Sequence, residues 1–126
     1  MARKILIIED YPETRQMLAD LMKINDFEPM EARDAIEGIE KAKSGQPDLI
    51  LLDVMLPMMD GVEACRKLKS DPKTAKIPVI FVTVKQIEEG LKVGEEIGAD
   101  AYIKKPFDPD ELLEIVRVIL EKPKVK

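Results

Sequence analysis

Three apolar runs stand out along this chain: Ile5–Ile8, Leu49–Leu52 and Pro78–Val82. Each is nearly continuous instead of alternating, the pattern of parallel strands buried on both faces. Two weaker segments complete the set. Phe27–Ala32 mixes Glu28, Pro29 and Glu31 with Phe27 and Met30, and a proline inside a strand confines it to a sheet edge. Ala101-Tyr102-Ile103 is short and is also placed at an edge. Helical spacing fills the intervals, so strand and helix alternate five times with no linker, repeat or low-complexity stretch. Three interior strands flanked by the second and fifth predict a doubly wound α/β sheet in the order 2-1-3-4-5. Ligands of such sheets bind beyond the carboxyl ends of the strands, where the order reverses between the first and the third.

Helix boundaries are legible too. Asp34-x-x-Glu37, Asp60-x-x-Glu63 and Asp108-x-x-Glu111 have capping-box spacing, and Pro109 suits a first helical position. Met17, Leu18, Leu21 and Ile24 predict the core stripe of the first helix. Leu112, Leu113, Ile115, Val116, Ile119 and Leu120 predict that of the last, with Glu114 and Arg117 solvated on the other side. A fourth helix around Ile87–Ile97 is weaker. Gly90 and Gly94 each cost about 1 kcal/mol against alanine in a helix interior, and Gly98 reads as its terminator. Glu89, Lys92, Glu95 and Glu96 exclude membrane packing there, so the segment is read as an element that is reshaped cheaply.

A length of 126 residues fits one domain with an ordinary core, here residues 1–121 with a tail over 122–126. The 45% hydrophobic and 36% charged residues describe a soluble globular protein and exclude a disordered one. A net charge of -5 argues against direct binding of nucleic acid, which needs a concentrated basic face. The single cysteine, Cys65, forms no internal disulfide and reads as a small apolar helix side chain, which fits a reducing, cytoplasmic setting. The chain has no histidine, and therefore neither a catalytic imidazole nor a phosphohistidine of its own. The first apolar run stops at Glu9-Asp10, too early for a signal peptide, and no stretch is long enough to span or insert in a bilayer.

The chemistry gathers at the strand ends. Glu9 and Asp10 follow the first strand, Asp53 the third, Thr83 the fourth and Lys105 the fifth. Magnesium takes oxygen ligands and keeps several waters, so one or two carboxylates hold it. Asp10 and Asp53 supply them, with Glu9 nearby and acting through water. Asp10 has a competing role, because Glu13 three residues on makes it a plausible cap for the first helix. Asp53 has none: Leu56 stands at the capping-box position and Pro57 follows. Thr83 alone reads as a strand terminus, Lys105 alone as a solvated loop lysine, and Lys104 is taken as that ordinary lysine. Together the four groups share one rim. A hydroxyl and an ammonium bind phosphoryl oxygens, magnesium neutralises the rest, and a carboxylate attacks phosphorus.

Glu9-Asp10, the stretch from Leu51 through Asp53-Val54-Met55-Leu56-Pro57 to Asp60-Gly61, Thr83, Gly98-Ala99-Asp100 before Tyr102, and Lys105-Pro106-Phe107 resemble the receiver domains of two-component response regulators. The resemblance runs from Lys4 to about Leu120. It implies a CheY-like, flavodoxin-like (βα)5 fold with a five-stranded parallel sheet and helices on both faces. By it, Asp53 is the phosphoacceptor, taking a phosphoryl group from the phosphohistidine of a sensor histidine kinase or histidine phosphotransfer protein. Asp10, Asp53 and the Met55 carbonyl would ligate Mg2+, with Glu9 in the outer sphere. Lys105 would pair with the phosphoryl group, placed by a cis Lys105–Pro106 bond. Thr83 would move to the phosphate and Tyr102 swing inward. The change would appear on the face formed by the fourth helix, fifth strand and last helix, controlling a downstream target protein.

One position departs from the pattern. The residue after Thr83 is usually small in the family, and here it is Val84, which is expected to slow phosphoryl turnover. Other readings are weaker. Phosphohydrolases working through an aspartyl-phosphate generally set a second aspartate where Met55 stands. A receiver-like module that binds without phosphorylation usually loses part of the acid, threonine and lysine set. No glycine-rich phosphate loop follows the first strand. The expected activity is thus self-phosphorylation and dephosphorylation within a signalling domain, and the expected form a stand-alone receiver. Glu121-Lys122-Pro123-Lys124-Val125-Lys126 is either a terminus or the start of a linker.

Overall fold

Five parallel strands form one sheet in the order β2-β1-β3-β4-β5: β1 (Lys4–Ile8), β2 (Glu28–Ala32), β3 (Leu49–Leu52), β4 (Val79–Thr83) and β5 (Ala101–Lys104). The computed structural model describes residues 2–84 and 98–121. Among these, α1 (Pro12–Ile24), α2 (Ala35–Gly45), α3 (Gly61–Ser70) and α4 (Pro109–Glu121) are helical. The helix expected around Ile87–Ile97, with Gly90 and Gly94, and the tail over 122–126 lie outside the described residues.

The sheet has the doubly wound order that the apolar runs match, the flavodoxin-like arrangement implied by the resemblance. Every residue of β3 and β4 is buried, and β1 is buried from Ile5 onward, because these strands carry helices on both faces. Alternation divides their side chains. Leu6, Ile8, Ile50, Leu52, Val79 and Phe81 meet α2 and α3 on one face. Ile5, Ile7, Leu49, Leu51, Ile80 and Val82 meet α1 and α4 on the other. Each fully buried Leu or Ile contributes roughly 1.5–3 kcal/mol before chain entropy is charged, so these interior strands dominate the core. β2, with Pro29, and β5 take the two edges, as their mixed composition requires.

Three local expectations need correcting. The buried stripe of α1 is Leu18, Ala19 and Met22, whereas Met17 and Ile24 are 49% and 78% exposed. Positions 17, 21 and 24 make as regular a helical stripe as 18 and 22, so spacing alone does not select between them. Nor does Asp10 cap α1: the helix starts at Pro12 after Tyr11, which makes no side-chain cap bond. Asp34 and Asp60 cap α2 and α3 through the Glu37 and Glu63 amides, at 2.8 and 2.9 Å. Asp108 instead accepts the amide of Asp110, one residue earlier than the capping-box position. Among the described residues, no helix is long and apolar enough to cross a membrane.

Candidate functional site

Strand geometry gathers the polar residues at the carboxyl end of the sheet, and main-chain bonds fix them there. The Glu9 amide donates to the Ala32 carbonyl at 3.0 Å, tying the end of β1 to β2. The Asp53 amide donates to Ile8 at 3.1 Å, and the Lys105 amide to Thr83 at 2.8 Å. Glu9, Asp53 and Lys105 thus each leave a backbone held by the neighbouring strand.

Lys105 bridges the two buried acids. Its Nζ donates to Glu9 Oε1 in a short bond and lies 3.3 Å from Asp53 Oδ2. The second oxygen of each acid takes a main-chain amide: Glu9 Oε2 from Tyr11 at 3.2 Å, Asp53 Oδ1 from Met55 at 3.0 Å. Asp10 is exposed, and Glu9, Asp10 and Asp53 bring carboxylate oxygens within 4.8 Å of one another. Three carboxylates against one ammonium leave an excess of negative charge, which favours a cation. Burial pushes the Glu9 carboxyl above its ordinary value; the Lys105 hydrogen bond opposes that shift and nearby Asp53 adds to it. The donor set is all oxygen, partly exposed, and near the switch point between β1 and β3, so it fits a hard divalent ion that retains water.

Thr83 is fully buried at the end of β4. Tyr102 on β5 is half-buried, stands in register with Phe81, and meets that ring edge-on at 6.0 Å. By strand alternation Phe81 and Thr83 share the α2–α3 face of the sheet, and Tyr102 packs on that same side. Met55 has its side chain 57% exposed at the rim, and Val84 is likewise 57% exposed just beyond Thr83. The Lys105–Pro106 peptide is cis. Lys104 is exposed and outside the site.

Two contributors escaped the sequence reading. Arg15 of α1 donates to the Glu9 carbonyl at 2.9 Å. Gly61 opens α3 hard against the main chain of Asp53 and Val54, where its own amide meets the Val54 carbonyl at 2.8 Å. Asp60-Gly61 was a visible signal, but only as part of a motif; no local pattern marks Arg15.

A family model described as the response regulator receiver domain matches residues 5–117. The phosphate regulon transcriptional regulatory protein PhoB of Escherichia coli (strain K12) is 39% identical over 122 residues, covering 97% of this chain and 53% of PhoB. The chain therefore spans about half the length of the curated relatives it matches. The CheY-like response regulator receiver domain protein from Methanospirillum hungatei JF-1 superposes with a TM-score of 0.90 at 30% identity, covering 96% of this chain and 95% of that one. The receiver domain of sensor histidine kinase PA1611 from Pseudomonas aeruginosa PAO1 has a magnesium ion coordinated in its active site cleft. It aligns with a TM-score of 0.88 at 24% identity over 97% of this chain and all of that one, a likeness of fold.

Proposed function

The chain belongs to the response regulator receiver domain family, and we propose that it is a cytoplasmic signalling switch controlled by phosphorylation of Asp53. The observation that carries this reading is the Lys105 bridge between Glu9 and Asp53, set beside a third carboxylate at the switch point of the sheet. Asp53 is the acid whose position fits attack. Its carboxylate ends an interior strand, is oriented by the Met55 amide, and faces an ammonium that can transfer its bond from carboxylate to phosphoryl oxygen.

In the step proposed, an Asp53 oxygen forms a bond to phosphorus as the phosphorus–nitrogen bond of a donor phosphohistidine breaks. The electron pair of that bond stays with the imidazole. Asp10, Asp53 and the Met55 carbonyl would hold magnesium, with Glu9 acting through water, and the bound ion would supply positive charge to the phosphoryl oxygens. Lys105 supplies the rest and Glu9 keeps it in place. Thr83 then turns toward the phosphate and Tyr102 moves inward on the same side of the sheet. That movement alters the surface carrying β5 and α4, where a target protein would sense it. The donor is a sensor histidine kinase or a histidine phosphotransfer protein.

Intact mass after incubation with acetyl phosphate, with and without magnesium, tests the proposal beside Asp53→Asn. The expected result is one added phosphoryl group in the wild-type chain with magnesium only. An equal gain in Asp53→Asn, or no gain from either acetyl phosphate or a phosphorylated kinase, would falsify it.

A further inference from the structure

Asp10 is the exposed member of the acid cluster, so the main chain around it determines where its carboxylate points. On its carboxyl side, Tyr11 stands just before α1 and donates its amide back to Glu9 Oε2. On its amino side the Glu9 carbonyl, the last acceptor before Asp10, is held by Arg15 Nη1 at 2.9 Å. Arg15 is itself anchored. Its Nε lies 3.4 Å from Glu31 Oε1 on β2, and its backbone amide donates to Tyr11 at 2.9 Å. With the Glu9 amide bound to Ala32, both ends of the Glu9 residue are tied to the edge of the sheet, one directly and one through Arg15.

We infer that Arg15 is a positioning residue for the acid cluster: its guanidinium bridges the Glu9 carbonyl and Glu31, and so orients the Glu9–Asp10 peptide for divalent-cation binding. This rests on the magnesium site proposed above. The role is separable from simple charge because the two predict opposite signs. A guanidinium near a cation site repels the cation, so loss of its charge alone tightens binding. Loss of its hydrogen bond lets the Glu9–Asp10 peptide drift and weakens binding. Residues that orient metal ligands typically alter affinity by about 10–100-fold when removed.

The experiment is calorimetric titration of Mg2+ into the wild-type chain, Arg15→Gln, Arg15→Lys and Glu31→Gln at one pH and ionic strength, with thermal unfolding in metal-free buffer as the check on folding. Arg15→Gln is expected to weaken Mg2+ about tenfold. Arg15→Lys keeps the charge but not the fork, and is expected to fall between Arg15→Gln and wild type. Glu31→Gln retains an acceptor for Arg15 and is expected to bind as wild type does. Equal or tighter binding by Arg15→Gln overturns the inference, as does wild-type affinity in Arg15→Lys. If Arg15→Gln does not fold, the charge-matched lysine variant decides alone. Failure of the wild-type chain to bind Mg2+ would instead sink the metal site itself.

Discussion

Substituting Gly61 by alanine tests how closely the nucleophile depends on the helix beside it. The backbone of Gly61 lies outside the left-handed region, so conformation does not demand glycine there. Space does. A Cβ at this position would stand 2.1 Å from the Asp53 carbonyl oxygen and 2.7 Å from the Val54 Cα, both rigid main-chain atoms. Ordinary contact begins at 3.4 Å, so the start of α3 and the end of β3 must part by about 1.3 Å along that line. Two effects compete. Alanine restricts the unfolded chain and would stabilise by about 0.4–1 kcal/mol were the site open. Overpacking costs about 1–3 kcal/mol. Because the clash is with main chain, overpacking takes the upper part of its range, about 2–3 kcal/mol, and wins, giving a net loss of about 1–2.5 kcal/mol and a fall in Tm of roughly 3–10 °C. The chemistry should suffer more, because a displacement of about 1 Å at a positioned reacting group costs on the order of 100-fold. Thermal unfolding followed by circular dichroism, and the rate of phosphoryl incorporation by mass, measure the two. A Gly61→Ala variant as stable as wild type, phosphorylated at the same rate, would show that the contact between α3 and β3 does not position Asp53.

Three further outcomes are expected. Val84→Ala should lose its phosphoryl group faster than wild type, since Val84 projects beyond Thr83 at the rim; equal dephosphorylation rates would remove that role. Burial raises the Glu9 pKa above its usual 4.5, so folding favours its protonated form. That contribution is complete below the unfolded value and is lost as pH rises through the raised folded one. In metal-free buffer the urea midpoint of wild type should therefore fall relative to Glu9→Gln between pH 4 and pH 7, and a constant difference would contradict this. Cys65 is fully buried and burial pushes its thiol up to about 11. An aromatic disulfide reagent at pH 8 should label it only as the chain unfolds, and rapid labelling of the native protein would show the packing to be wrong.

The sheet was legible because its interior strands are unbroken apolar runs. Pro29 and the brevity of Ala101-Tyr102-Ile103 marked the edges; the order of the three interior strands came from the known doubly wound arrangement that this pattern matches. The rim was legible for a related reason: Asp53 and Lys105 directly follow strands, Thr83 ends one and Asp10 stands two residues beyond another, and parallel strands place their carboxyl ends together. Sequence did not reveal how adjacent acids divide the work. Glu9 is 2% exposed and takes the Lys105 bond, whereas Asp10 faces solvent. That division depends on the turn into α1, which begins at Pro12 without a side-chain cap. The α1 stripe was misjudged at Met17 and Ile24 because two overlapping helical stripes are equally regular. Arg15 and Gly61 were invisible as contacts, since each acts on main chain brought close only by the packing of helix against sheet.

In the proposed reaction one carboxylate of three, that of Asp53, accepts the phosphoryl group. Borohydride reduces an acyl phosphate to the alcohol and leaves free carboxylates untouched, so it records the acceptor as a change of residue. The protein, phosphorylated in magnesium, would be reduced, digested and mapped by peptide mass. Homoserine at position 53 alone is the predicted result. Homoserine at position 10, the corresponding alcohol at position 9, or an unreduced phosphoryl group on a hydroxyl residue would contradict the assignment of Asp53.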